Sequence, residues 1–182
     1  MSLLTPLDEA RSNGRPRADG LTIRISSGTG VGRTRLSAFD SALMAAGVGD
    51  FNLLRLSSVI PPRSNVIEVN SSQQVPGEHG DRLYCVYAAA CASTPHEQAW
   101  AGVAWSRRNN GSGEGLFVEH VGHSEAAVLN DLRLSLADLS VRRGGDFTPA
   151  GVQTSFAVCV DLPVCALVIA TYGRSAWSSD GG

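Results

Sequence analysis

The sequence predicts an α+β domain, and three observations lead there. Residues 21–25 alternate apolar and polar side chains, the period of a half-buried strand. The long apolar run at 83–92 reads as a buried strand, and 165–172 as one of a final pair of strands. Two longer stretches, 35–46 and 124–142, carry apolar residues at helical spacing. The count is about seven strands and two long helices, with the strands not alternating with the helices, and that pattern belongs to α+β.

Each element has its own signal. Residues 1–19 are rich in Arg, Pro, Gly and Asp and read as a disordered arm. The segment 26–34 (SSGTGVGRT) reads as a tight strand-to-helix turn. It is not a phosphate loop, because Ser27 and Arg33 stand where such a loop needs glycine and lysine. The first helix is expected over 35–46, capped by Thr34 and stopped by Gly47, with Leu36, Phe39, Leu43 and Ala46 as its apolar stripe. Asp40 points off that stripe. Residues 51–57 read as a strand that ends before Pro61 and Pro62, which cannot donate ladder hydrogen bonds. A short strand at 66–69 and a polar loop over 70–81 follow.

Residues 99–107 are ambiguous between helix and strand and are assigned to strand. A polar turn at 107–114 leads into a strand at 115–121, which carries Glu119. Ser124 caps the second helix, whose face is Val128, Leu132, Leu136 and Leu139, with Arg142, Arg143 and Gly144 at its end. Residues 155–160 and 165–172 are expected to pair as the last two strands, and 174–182 to form a flexible tail.

Composition narrows the function. With 43% hydrophobic and 18% charged residues the chain can bury a core. A net charge of -2 argues against nucleic acid and anionic membranes as partners. No apolar run reaches the roughly 18 to 20 residues of a membrane span, and the N-terminus lacks the apolar segment of a secretory signal. Cys85, Cys91, Cys159 and Cys165 have no metal-binding spacing and read as buried thiols of a cytoplasmic protein. His120 and His123 are not spaced to share one side of a strand, and no metal is expected. All fifteen basic residues are arginine. A pyridoxal-phosphate enzyme holds its cofactor on a lysine, so that chemistry is excluded here. An amine-handling enzyme without lysine needs its electrophilic carbonyl from another source.

The stretch 52–62 (NLLRLSSVIPP) suggests that source. Two adjacent serines, Ser57 and Ser58, follow an apolar run and precede a stiff Pro-Pro turn. With LSAFDSAL at 36–43, AGVGDFNL at 46–53 and GLFVE at 115–119, this stretch resembles the pyruvoyl-dependent arginine decarboxylase family, over about residues 21 to 172.

The resemblance implies a four-layer αββα sandwich of the pyruvoyl-dependent histidine/arginine decarboxylase type, formed by a single domain over 20–173. It implies self-cleavage between Ser57 and Ser58 into a β chain and an α chain, with a covalent pyruvoyl group derived from Ser58 as the cofactor. Asn52 would support cleavage, and Glu119 would return a proton to the α-carbon of the substrate. Asp40 and Ser57 would contact the substrate, with Asp40 facing its cationic side chain. The substrate is expected to be a small amino acid, arginine, converted to agmatine. The active site is expected at a subunit interface of a trimer or hexamer. Arg33, Arg35 and His120 depart from the family pattern. They keep open a second reading, a catalytically silent or substrate-divergent paralogue that retains the fold as a binding or assembly module.

Overall fold

A computed structural model describes residues 20–177. The arm expected over 1–19 and the last residues of the expected tail, 178–182, lie outside the described residues. The elements run β1 (Thr22–Val31), α1 (Arg35–Ala45), β2 (Asn52–Arg55), β3 (Val59–Ile60), β4 (Asn65–Glu68), a 3-10 turn (Ser71–Gln73), β5 (Arg82–Ala92), β6 (Gln98–Arg108), β7 (Gly115–Gly122), α2 (Glu125–Arg142), β8 (Phe147–Val158) and β9 (Val164–Ser175). One sheet has the order β2-β5-β9-β1-β4 and the other β3-β7-β6-β8.

The layers follow from side-chain alternation. In β9, Cys165, Leu167 and Ile169 pack against Ala38, Ala42 and Leu43 of α1. Between them, Val164, Ala166, Val168 and Ala170 point to the other face and meet Ala99, Ala101, Val103 and Trp105 of β6. Both faces of β9 are covered, which is why its sequence is an unbroken apolar run. Ala104 of β6 and Val118 of β7 face outward against Val128, Leu132 and Leu136 of α2. The stack is therefore helix, sheet, sheet, helix: the αββα sandwich expected from the resemblance.

The glycine-rich segment is not a turn. Residues 26–31 are the second half of β1, which pairs with β9 from Arg24 to Val31, and only 32–34 form the link to α1. A Cβ on Gly30 would lie 2.2 Å from the Ala38 carbonyl oxygen, and one on Gly28 would lie 2.3 Å from that of Ala42. The glycines let α1 lie directly on the strand. This also corrects one position of the helix stripe. Small residues must face the glycines, so Ala38, Ala42 and Ala46 are buried with Leu43, whereas Leu36 is 76% exposed. The helix ends themselves are as expected: Thr34 forms a capping box with Ser37, and Gly47 has φ +81°.

Two further expectations change. The last two strands do not pair with each other: β8 pairs with β6, whereas β9 pairs with β1 and β5. The link between them crosses from one sheet to the other, so adjacency in sequence becomes stacking across the core. The chain also remains in a strand past 174. Arg174 makes an ion pair of 2.8 Å with Asp81, and the Arg82 guanidinium lies 4.4 Å from the Trp177 ring centre.

Candidate active site

β2 is an edge strand of the first sheet and β3 an edge strand of the second. Ser57 and Ser58 lie between them, at the point where the chain steps from sheet to sheet. Both sides of the step are tied down. The Leu56 amide donates to the Cys85 carbonyl on β5 at 2.9 Å, and the Phe117 amide on β7 donates to the Ser58 carbonyl at 2.8 Å. One residue further on, the Tyr172 hydroxyl donates to the Val59 carbonyl at 3.1 Å. A peptide held this closely can be kept in a conformation it would not adopt alone. Ser58 has φ +66°, a left-handed conformation that costs a non-glycine residue free energy and persists only when its surroundings impose it.

The Ser58 hydroxyl donates to Oε1 of Glu119 at 2.5 Å. Phe117 and Glu119 are two apart on β7, so a single strand holds both the carbonyl and the hydroxyl of Ser58. The other carboxylate oxygen of Glu119 lies 3.9 Å from the Arg55 guanidinium, and the Glu119 side chain is 14% exposed. Arg55 reaches across from β2, donates to the Tyr87 carbonyl and stacks on the Tyr87 ring. Burial pushes the Cys85 thiol up to about 12, against the pull of the Arg55 charge, which favours its protonated form. Burial, and then the charge of Glu119, raise Tyr172, so its hydroxyl stays a donor to Val59.

Two cavities border the step and share Ser57. One, of about 310 Å³, is lined by Ser58, Glu119, His120, Ser135 and Arg143 among others. The other, of about 460 Å³, is lined by Leu56, Tyr84, Tyr172 and Arg174 among others. Together they leave space for a small polar molecule beside Ser58.

The structure thus brings together Ser57, Ser58 and Glu119, three of the five residues singled out from the sequence. The other two stand elsewhere. Asn52 opens β2, where its side-chain amide donates to the Gly80 carbonyl at 2.6 Å. Asp40 is exposed on α1 and lines neither of the two cavities. Sequence reasoning missed Arg55 and Tyr172. Arg55 lies inside the matched stretch 52–62 and could have been weighed as a partner for a carboxylate. Tyr172 ends an apolar run that gives no local hint of the long-range contact it makes.

The fit of a pyruvoyl group can be judged from these contacts. The residue that would become the group is strained, its hydroxyl already meets a carboxylate, and open space adjoins it. The residues present fit the group. A family model described as pyruvoyl-dependent arginine decarboxylase matches residues 22–175. The pyruvoyl-dependent arginine decarboxylase of Halobacterium salinarum is 34% identical over 155 residues, covering 84% of this chain and 94% of that protein. The protein of the same name from Thermococcus kodakarensis is 31% identical over 148 residues, covering 80% and 90%. The match along nearly the whole described fold, with the serine pair at the step between the sheets, shows that this chain belongs to the pyruvoyl-dependent arginine decarboxylase family.

Proposed function

We propose that this chain cleaves itself between Ser57 and Ser58 and then decarboxylates arginine to agmatine and carbon dioxide. The observation that carries the reading is the hydrogen bond from the Ser58 hydroxyl to Glu119, made by a residue whose backbone is strained at the bond to be broken.

Cleavage needs the Ser58 oxygen to attack the Ser57 carbonyl carbon. Glu119 accepts the hydroxyl proton as that bond forms. The peptide becomes an ester as the Ser58 nitrogen leaves the Ser57 carbonyl. That nitrogen leaves as an amine, taking up the proton that Glu119 accepted. Loss of the Ser58 α-proton then expels the Ser57 carboxylate and leaves dehydroalanine at residue 58, and addition of water to its imine tautomer releases ammonia and leaves the ketone. The amide of Phe117 holds the Ser58 carbonyl throughout, and Tyr172 fixes the next peptide, so the severed end stays in place. Relief of the left-handed backbone at Ser58 favours the forward direction.

A pyruvoyl group at residue 58 supplies a ketone that takes up the substrate amine and the electrons released with carbon dioxide. Glu119, which meets the Ser58 hydroxyl, would hold the proton returned to the substrate α-carbon, with Arg55 as the counter-charge of its second oxygen. Asn52 acts in cleavage only if its amide leaves Gly80, and that requirement is part of the reading. Asp40 binds the guanidinium of arginine in the two-point geometry that a carboxylate offers. Its distance in layers from Ser58 is accounted for by a second copy supplying it, in a trimer or hexamer with the site between subunits. Leu36 and Met44, apolar and exposed on the same helix as Asp40, support such a contact. The four free thiols support a cytoplasmic setting.

The experiment is release of carbon dioxide from carboxyl-labelled arginine, ornithine, lysine and histidine by wild-type protein and by Ser58→Ala. Release from arginine by the wild type alone supports the reading. Release by both proteins, or by neither, overturns it.

A further inference from the structure

We propose that Cys91 and Cys165 form a reversible disulfide, a modification site that joins β5 to β9 beneath α1. The two residues are directly opposed in the antiparallel ladder of those strands. Opposed residues in such a ladder have Cα atoms roughly 4.5 or 5.5 Å apart, depending on the pair type, and both spacings fall inside the range of about 4.4 to 6.8 Å that disulfides span. Their side chains point to the same face, since both belong to the layer packed against Ala38 and Ala42. Both are free thiols, Cys91 partly accessible and Cys165 buried.

Burial first, and then the neighbouring Cys91, push the Cys165 thiol up. Cys91 also lies 4.0 Å from the Arg35 carbonyl, at the first turn of α1, where the layer opens to solvent.

This arrangement assigns the order of events. A peroxide oxidises the accessible Cys91 thiol to a sulfenic acid and is itself reduced to water. The Cys165 sulfur attacks the Cys91 sulfur. The sulfur–sulfur bond forms as the sulfenic oxygen leaves, and that oxygen departs as water with the Cys165 proton. A dithiol reductant returns both thiols. The chemistry is separate from the reading above. Cys91 is six residues from Cys85 along β5, about 20 Å at roughly 3.3 Å per residue, and both cysteines lie on the 58–182 side of the serine pair. Cleaved and intact protein serve the test equally.

The test oxidises wild-type protein with a small excess of hydrogen peroxide, denatures it, alkylates free thiols and measures intact mass and peptides. The expected result is two alkylated thiols instead of four, a peptide holding Cys91 joined to one holding Cys165, and full reversal by dithiothreitol. Cys91→Ser should abolish the bridge. Cys165→Ala should leave an oxidised Cys91 that a sulfenic-acid trap captures. Wild-type protein that alkylates at all four thiols after oxidation overturns the proposal. So does a bridge through Cys85 or Cys159, or a stable oxygen adduct on Cys91 with Cys165 still free.

Discussion

The hydroxyl of Ser58 and the carboxylate of Glu119 meet at 2.5 Å although 61 residues separate them in the chain. The contact joins a strained step between two sheets to a strand of the second sheet. It makes Glu119 a partner of Ser58 in the intact chain.

Glu119→Gln keeps the shape of the side chain but accepts a proton poorly. Decarboxylation by any cleaved material should fall by roughly 10² to 10⁴, the usual cost of losing a positioned acid or base. Maturation should slow as well, because the same oxygen receives the Ser58 hydroxyl. Following both on one preparation, by gel and by carbon dioxide release, checks the two roles. Wild-type rates for either process would remove Glu119 from that role.

Tyr172→Phe deletes the hydroxyl that holds the Val59 carbonyl and leaves the carbonyl without that donor. The loss should cost about 1 kcal/mol of stability, in the range for one buried hydrogen bond. Cleavage should slow more than global stability predicts, since the peptide concerned adjoins the scissile bond. Denaturant melts of the Ser58→Ala background separate the two effects, and equal stability with unchanged cleavage would contradict the role.

Gly30→Val places branched carbon where the Ala38 carbonyl lies only 2.2 Å from a first side-chain atom. Helix α1 must then lift from β1. The expected cost is at the upper end of overpacking effects, about 3 kcal/mol or more, read as a lowered melting temperature. A melting temperature like wild type would mean that the glycine stretch does not set the helix–sheet distance.

That segment also shows what the sequence could and could not convey. The buried run of β5 was legible because its composition reports its surroundings directly. The caps of both helices were legible because capping is local: Thr34 and Ser124 each act within three residues. The glycines were misread as a turn because their purpose is a helix lying across them, which no local rule reveals. One member of the helix stripe went wrong for the same reason: Leu36 is exposed, whereas Ala38 and Ala42 face the glycines. The pairing of β8 with β6 depends on a sheet crossing that sequence adjacency hides. At the site, Ser57, Ser58 and Glu119 came from the family pattern. Arg55 and Tyr172 matter only through contacts between sheets.

Asp40→Asn should mature normally, since Asp40 lies in a different layer from the serine pair. Its KM for arginine should rise at least tenfold, with a smaller change in kcat, if Asp40 binds the guanidinium from a neighbouring copy. Light scattering on the same sample should show an oligomer. An unchanged KM, or a monomer with full activity, would contradict the shared site.

The central claim is that the bond between Ser57 and Ser58 breaks by the action of this chain alone. Intact-mass measurement of purified wild-type protein tests it most directly. The account predicts two fragments, 1–57 and 58–182, the larger blocked at its N-terminus, while Ser58→Ala gives one uncut chain. A wild-type chain that stays whole after prolonged incubation would contradict the account and leave a member of the family that keeps the fold without the chemistry.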